Sequence, residues 1–135
     1  MLRIIADDFG LHKSVNEGII FLLKNKKIDG ASLMANGEAF DDAVKQCLDF
    51  KFSNIGIHLN LVEQDSLVLG KPMPKNHYVF LLKYILGLIR QDYVRQEFEA
   101  QIRKCIQAGI RLSFINGNQH LHLLPGIIDI VISLA

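Results

Sequence analysis

With 135 residues, half of them hydrophobic, and 15 Lys and Arg against 14 Asp and Glu, the chain has the material for one domain with a full core. A net charge of +1 argues against electrostatic nucleic-acid binding. The richest apolar stretch, YVFLLKYILGLI, is interrupted by Lys83 and is too short to span a bilayer, so no membrane partner is expected.

Strands and helices alternate along the chain. The β-branched run in RIIADDFG predicts a first strand near Leu2 to Ala6, ending on the adjacent carboxylates Asp7 and Asp8. Ser14 and Glu17 make an S-x-x-E capping box for a helix to about Asn25, with Val15, Ile19, Leu22 and Leu23 inward. A short strand, ASLMAN, leads into NGEAF, where Asn36 and Glu38 mark a turn and cap. The next helix carries Ala43, Val44, Cys47 and Leu48 on one side. A strand follows over about 54 to 61. Residues 63 to 76, with Gly70, Pro72 and Pro74, read as an irregular loop. HYVFLLKYILGLI fits a helix packed on both sides, or one whose exposed face meets another subunit. A helix from about Gln91 to Ala108 sets Val94, Phe98, Ile102, Cys105 and Ile106 at helical spacing, with Gly109 as its stop. The strand LSFIN, the NQHLHLLPG loop and a helix from near Pro125 complete the series.

This alternation predicts an α/β fold: parallel strands alternating with helices, as a partial or distorted (β/α) barrel. A closed barrel needs more than about 200 residues, and the chain stops inside an apolar helix, Asp129 to Ala135. Residues 1–135 are therefore read as a single domain belonging to a larger architecture. Either the sheet stays open, or further chain or a second copy covers it. The start lacks the apolar core and cleavage site of a signal peptide, so a cytoplasmic setting is expected. Cys47 and Cys105 have no metal-type spacing and are expected as free buried thiols.

Chemistry is expected at the carboxyl ends of the strands. Two carboxylates emerging together at Asp7 and Asp8 repel each other unless a cation or a proton intervenes. His58 lies near the end of a second strand, in NIGIHLNLV. Asn116, Asn118, His120 and His122 follow another, in RLSFINGNQHLHLLPG. Asp, His and Asn side chains from several strand ends suit an oxygen- and nitrogen-ligated divalent metal. His12 and His77 read as polar surface, and Asn60 as a partner of His58, of substrate or of local backbone.

ADDFG, HLNL and NQHLHLLPG resemble, in that order, the three signature blocks of the YdjC-like carbohydrate deacetylases, the family that includes chito-oligosaccharide deacetylases. VNEGI and NGEAFDDAV resemble stretches between those blocks. The resemblance covers the whole chain but only the N-terminal half or so of a typical member. It implies a distorted (β/α) barrel, a divalent metal and hydrolysis of N-acetyl groups from amino sugars or chito-oligosaccharides. By position, Asp7 would be the general base, Asp8 a metal ligand and His58 the second ligand. His122 or His120 would protonate the leaving amine.

The third block departs from the family pattern D-x-H-x-H-x-H, since Asn116 and Asn118 replace its aspartate and first histidine. Asn118 as a ligand favours magnesium over zinc. Alternatively His120 replaces it, or the site binds metal poorly. The other reading is accordingly a weak or inactive sugar-binding or assembly protein on the same architecture. A homo-oligomer is expected from the apolar segment at 78 to 89.

Overall fold

The computed structural model describes residues 2–135. Its elements are β1 (Ile5–Phe9), α1 (Lys13–Lys24), β2 (Gly30–Leu33), α2 (Phe40–Phe50), β3 (Ile55–Leu59), α3 (His77–Ile85), α4 (Gln91–Gln107), β4 (Leu112–Gly117) and α5 (Ile127–Leu134). The four strands form one parallel sheet in the order β1-β2-β3-β4. Spatial order thus repeats chain order. That is the arrangement of a barrel arc; a doubly wound sheet reverses direction at a switch point. Because the strands are parallel, all their carboxyl ends lie on one side of the sheet. The predicted α/β class holds.

The two central strands are short and largely apolar, as suits strands covered on both faces. β2 and β3 are buried at every position. Phe9, Leu33, Ile55, Ile57, Phe40, Cys47, Phe98 and Cys105 belong to one continuous core. Burial pushes both thiols up to about 12. Neither Cys47 nor Cys105 is therefore expected to react with a thiol reagent at pH 8 in the folded chain, and both should react once denaturant is added. Titration with an aromatic disulfide reagent checks this. Rapid native labelling would contradict the burial.

Three local expectations need correction. The cap of α1 is His12, not Ser14: an extended backbone at His12 starts the helix two residues earlier, and its ring nitrogen accepts the Ser14 N–H. Leu48 and Ile106, placed inward by periodicity, lie mostly in solvent, because the sheet covers a narrower stripe of each helix. The inward face of α1 is Asn16, Ile19 and Ile20, with Val15 and Leu23 packed at its margin. The apolar segment is not packed on both sides. Only Phe80 of α3 is fully buried, while Tyr78, Leu82, Ile85, Leu86 and Leu88 are exposed.

Candidate functional site

Adjacent side chains on a regular strand point to opposite faces, so Asp7 and Asp8 would ordinarily diverge. The backbone prevents this. Asp8 takes a left-handed conformation (φ 62°), and the β1–β2 register shifts between Ala6 and Phe9. Asp is among the few residues that tolerate that conformation. As a result both carboxylates reach one imidazole. Asp8 Oδ1 lies 3.2 Å from His58 Nε2, and Asp7 Oδ1 lies 3.9 Å from His58 Nδ1. The turn is braced from below. Asn16, fully buried on α1, accepts the Gly10 N–H (2.7 Å) and donates to the Ala39 carbonyl (3.0 Å) and Asp42 (2.8 Å). Gly37 packs directly on the Gly10 carbonyl, where a β-carbon would collide with backbone.

His58 is 3% exposed and has little freedom to turn. The Ser32 hydroxyl lies 3.3 Å from its Nδ1 and donates to Asp7 Oδ1 at 2.8 Å. With the serine proton on the carboxylate, Nδ1 must be the donor toward Ser32. Nε2 then faces Asp8. A carboxylate oxygen can only accept, so at 3.2 Å the pair must hold either a proton or a cation between its lone pairs. The hydrogen bond from His58, opposed by partial burial and aided by the histidine charge, keeps the Asp8 carboxyl below its usual range. Ser32 was not among the expected residues. Its signal is a small hydroxyl inside an otherwise apolar, fully buried strand.

The third block arrives beside these groups through β4, which places Asn116 opposite His58 in the sheet. Asn116 donates to Asp7 Oδ1 at 2.6 Å, and its own oxygen accepts the Gly117 N–H at 2.7 Å. Asp7 is half-exposed, with Oδ1 gripped by two donors. Asn118 donates to Asn60 Oδ1 at 3.0 Å.

The chain then folds into a 3-10 segment, Asn118–Leu123, broken by left-handed Gln119 and His120. His122 rests against Gly117, and its Nδ1 is buried without a hydrogen-bond partner among the described residues. Burial, followed by the charges of His120 and His58, holds His122 below the usual imidazole range, so it is neutral at pH 7. His120 stays on the exposed side, its ring centroid 6.2 Å from that of His122.

Asp7, Asp8, His58 and Asn116 therefore converge directly, while Asn118, two residues on from Asn116, bonds to Asn60. His122 borders the group, and His120 stands outside it. His77 also differs from its reading as plain surface: its backbone N–H and ring nitrogen meet Gln119 Oε1 at 3.1 and 2.7 Å, tying α3 to the third block. His12 lies 3.4 Å from Glu38 at the rim. Among the described residues no three His, Cys, Asp or Glu side chains gather as a metal group. Asp8 and His58, 3.2 Å apart, could hold a cation between them, and an amide oxygen, a histidine that moves or the free Oδ2 of Asp7 could complete its donor set. Carboxylate, imidazole and amide oxygen together make an oxygen-weighted donor set, which suits a hard divalent ion.

A profile of the YdjC-like protein family matches residues 1–135. The chain is 33% identical over 141 residues to a carbohydrate deacetylase of Brevibacillus brevis, covering 99% of this chain and 55% of the relative. It is 31% identical to a chitooligosaccharide deacetylase of Citrobacter koseri, covering 97% and 54%. Among solved structures, a candidate cellobiose-phosphate cleavage protein from Enterococcus faecalis V583 superposes with a TM-score of 0.82 at 22% identity, covering 98% of this chain and 54% of that one. That likeness bears on the fold alone. The chain spans about half the length of the curated relatives it matches. Agreement with the family profile over residues 1–135 shows that this chain belongs to the YdjC-like protein family.

Proposed function

We propose that this chain carries the catalytic carboxylates of a carbohydrate N-deacetylase, which hydrolyses N-acetyl groups on amino sugars or chito-oligosaccharides with a divalent cation, magnesium in preference to zinc. The observation that supports it most is the turning of two consecutive carboxylates onto one buried histidine. Asp8, His58 and Asn118 would hold the cation, with His120 as the alternative third donor. The chemistry it supplies is polarisation of the acetamide carbonyl.

The chain's own groups do the rest. Ser32 and Asn116 hold Asp7 by Oδ1, which leaves Oδ2 to take a proton from the attacking water. Water oxygen bonds to the amide carbon, the C–N bond breaks, and the amine nitrogen takes up a proton. His122 stands nearest to that task. With Nδ1 buried and unpartnered, its Nε2 faces the site, where it would take up the proton that Asp7 removes from the water and pass it to the leaving nitrogen. The products are acetate and a free amino sugar.

A second reading, a sugar-binding member without turnover, draws support from Asn116 and Asn118, which replace the family's aspartate and histidine, and from the lack of a three-residue His, Cys, Asp or Glu cluster among the described residues. One experiment separates the two. N,N′-diacetylchitobiose incubated with the chain and Mg2+ is expected to release acetate. Calorimetric binding of the disaccharide with no acetate formed decides for the second reading.

Two further expectations belong here. Among the described residues no helix is long and apolar enough to cross a membrane, and two unpaired thiols fit a reducing compartment, which supports a cytoplasmic setting. The exposed α3 stripe, Tyr78, Leu82 and Ile85, supports self-association. Sedimentation equilibrium is expected to return a mass above that of one chain. A monomer at high concentration would remove the homo-oligomer.

A further inference from the structure

The hydrogen bonds linking α4 to the third block run in only one consistent direction. Backbone N–H groups can only donate. Leu67 gives its N–H to Glu97 Oε1 (3.1 Å), while the Val68 N–H (3.1 Å) and the Ser66 hydroxyl (2.6 Å) go to Oε2. Both carboxyl oxygens of Glu97 are therefore acceptors. Gln101 must turn its Nε2 to Glu97 (2.9 Å), and that nitrogen also donates to the Asn60 carbonyl (2.7 Å). Its Oε1 accepts the Asn60 N–H (2.9 Å). Glu97, Gln101 and Asn60 are all completely buried.

The Asn60 side chain is polarised in the same way. Its Oδ1 accepts the Val62 N–H (3.1 Å), and its Nδ2 donates to the Val62 carbonyl (2.8 Å). Oδ1 is thus fixed as the acceptor that Asn118 meets at 3.0 Å. Only the Asn118 nitrogen can make that bond. Its nitrogen is spent on Asn60, and its carbonyl oxygen is the atom left for a ligand.

We propose that Gln101 is a positioning residue for Asn118. By gripping both backbone groups of Asn60, it holds in place the residue whose Oδ1, turned by Val62, orients the Asn118 amide, so the site would receive an oxygen donor where an unrestrained asparagine would offer either end. The consequence for cation binding rests on the reading of Asp8, His58 and Asn118 as donors. The orientation of Asn118 does not.

The test uses the full chain, 15N-labelled and free of cation, with the Asn118 side-chain amide signals assigned by their loss in Asn118→Asp. Gln101→Met keeps volume and removes all three Gln101 bonds. Exchange of the Asn118 amide protons is expected to quicken about five- to tenfold, the worth of one hydrogen bond. Mn2+ affinity is expected to weaken about 10–100-fold, as for other partners behind a metal ligand. Asn60→Ala removes the last link, leaves the Gln101 bonds in place and should release Asn118 equally, which calibrates the effect; Gln101→Leu carries the test if Gln101→Met does not fold. Unchanged Asn118 exchange in any folded variant overturns the proposal. Failure of the unsubstituted chain to take up Mn2+ overturns the cation reading alone, and the amide exchange still decides on Gln101.

Discussion

Asp7→Asn is expected to lower kcat for N-acetyl hydrolysis by about 10²–10⁴-fold, the usual worth of a positioned general base, while Mg2+ affinity stays close to that of the unsubstituted chain. The prediction follows from how Asp7 is held. Ser32 and Asn116 both donate to Oδ1, at 2.8 and 2.6 Å. An asparagine keeps its oxygen there and puts its NH2 in the place of Oδ2. Shape and both hydrogen bonds survive, and only the capacity to take a proton is lost. Asp8 and His58, which face each other at 3.2 Å, are untouched. Acetate release gives kcat, and calorimetry with Mg2+ gives the affinity. A variant that turns over normally removes Asp7 from the chemistry. One that loses both turnover and Mg2+ binding places Asp7 among the cation donors.

Much of this arrangement could be read from the chain before any coordinates, and the reasons are physical. A short β-branched run ending in two acids marks a strand end, and a parallel sheet brings such ends together wherever they lie in sequence. Asp7, Asp8, His58 and Asn116 were visible on that ground. What could not be read depends on conformation or on contacts across the fold. The left-handed backbone at Asp8 has no sequence signature beyond the tolerance of aspartate for it. Ser32 acts through partners 25 and 26 residues away. Gln101 and Glu97 stand at i and i+4 on α4, the spacing of an ordinary surface pair, and only the fold shows that this face is buried. The missed cap at His12 and the exposed Leu48 and Ile106 share one cause. Periodicity gives the phase of a helix, whereas its neighbours decide where it starts and how much of it they cover.

Glu97 carries the largest expected effect on stability. Its four acceptor positions are filled by Ser66, Leu67, Val68 and Gln101. Replacement by leucine suits the apolar surroundings in volume and strands all four donors. The N–H groups of Leu67 and Val68 are only partly buried and regain water when the loop lifts. Ser66 and Gln101 are buried and do not. At about 1–3 kcal/mol for each stranded group, Glu97→Leu should cost about 3–5 kcal/mol, or about 10–20 °C in melting temperature for a domain of this size. Glu97→Gln should lose roughly half as much, because one oxygen still accepts and the Ser66 hydroxyl can rotate to meet the new NH2. Thermal unfolding followed by circular dichroism ranks the three proteins. A leucine variant melting with the unsubstituted chain would mean that the loop after β3 is held by its apolar contacts alone, Leu61, Val62 and Met73. The graded loss expected here places the anchor at the carboxylate, from which the chain of hydrogen bonds to Asn118 starts.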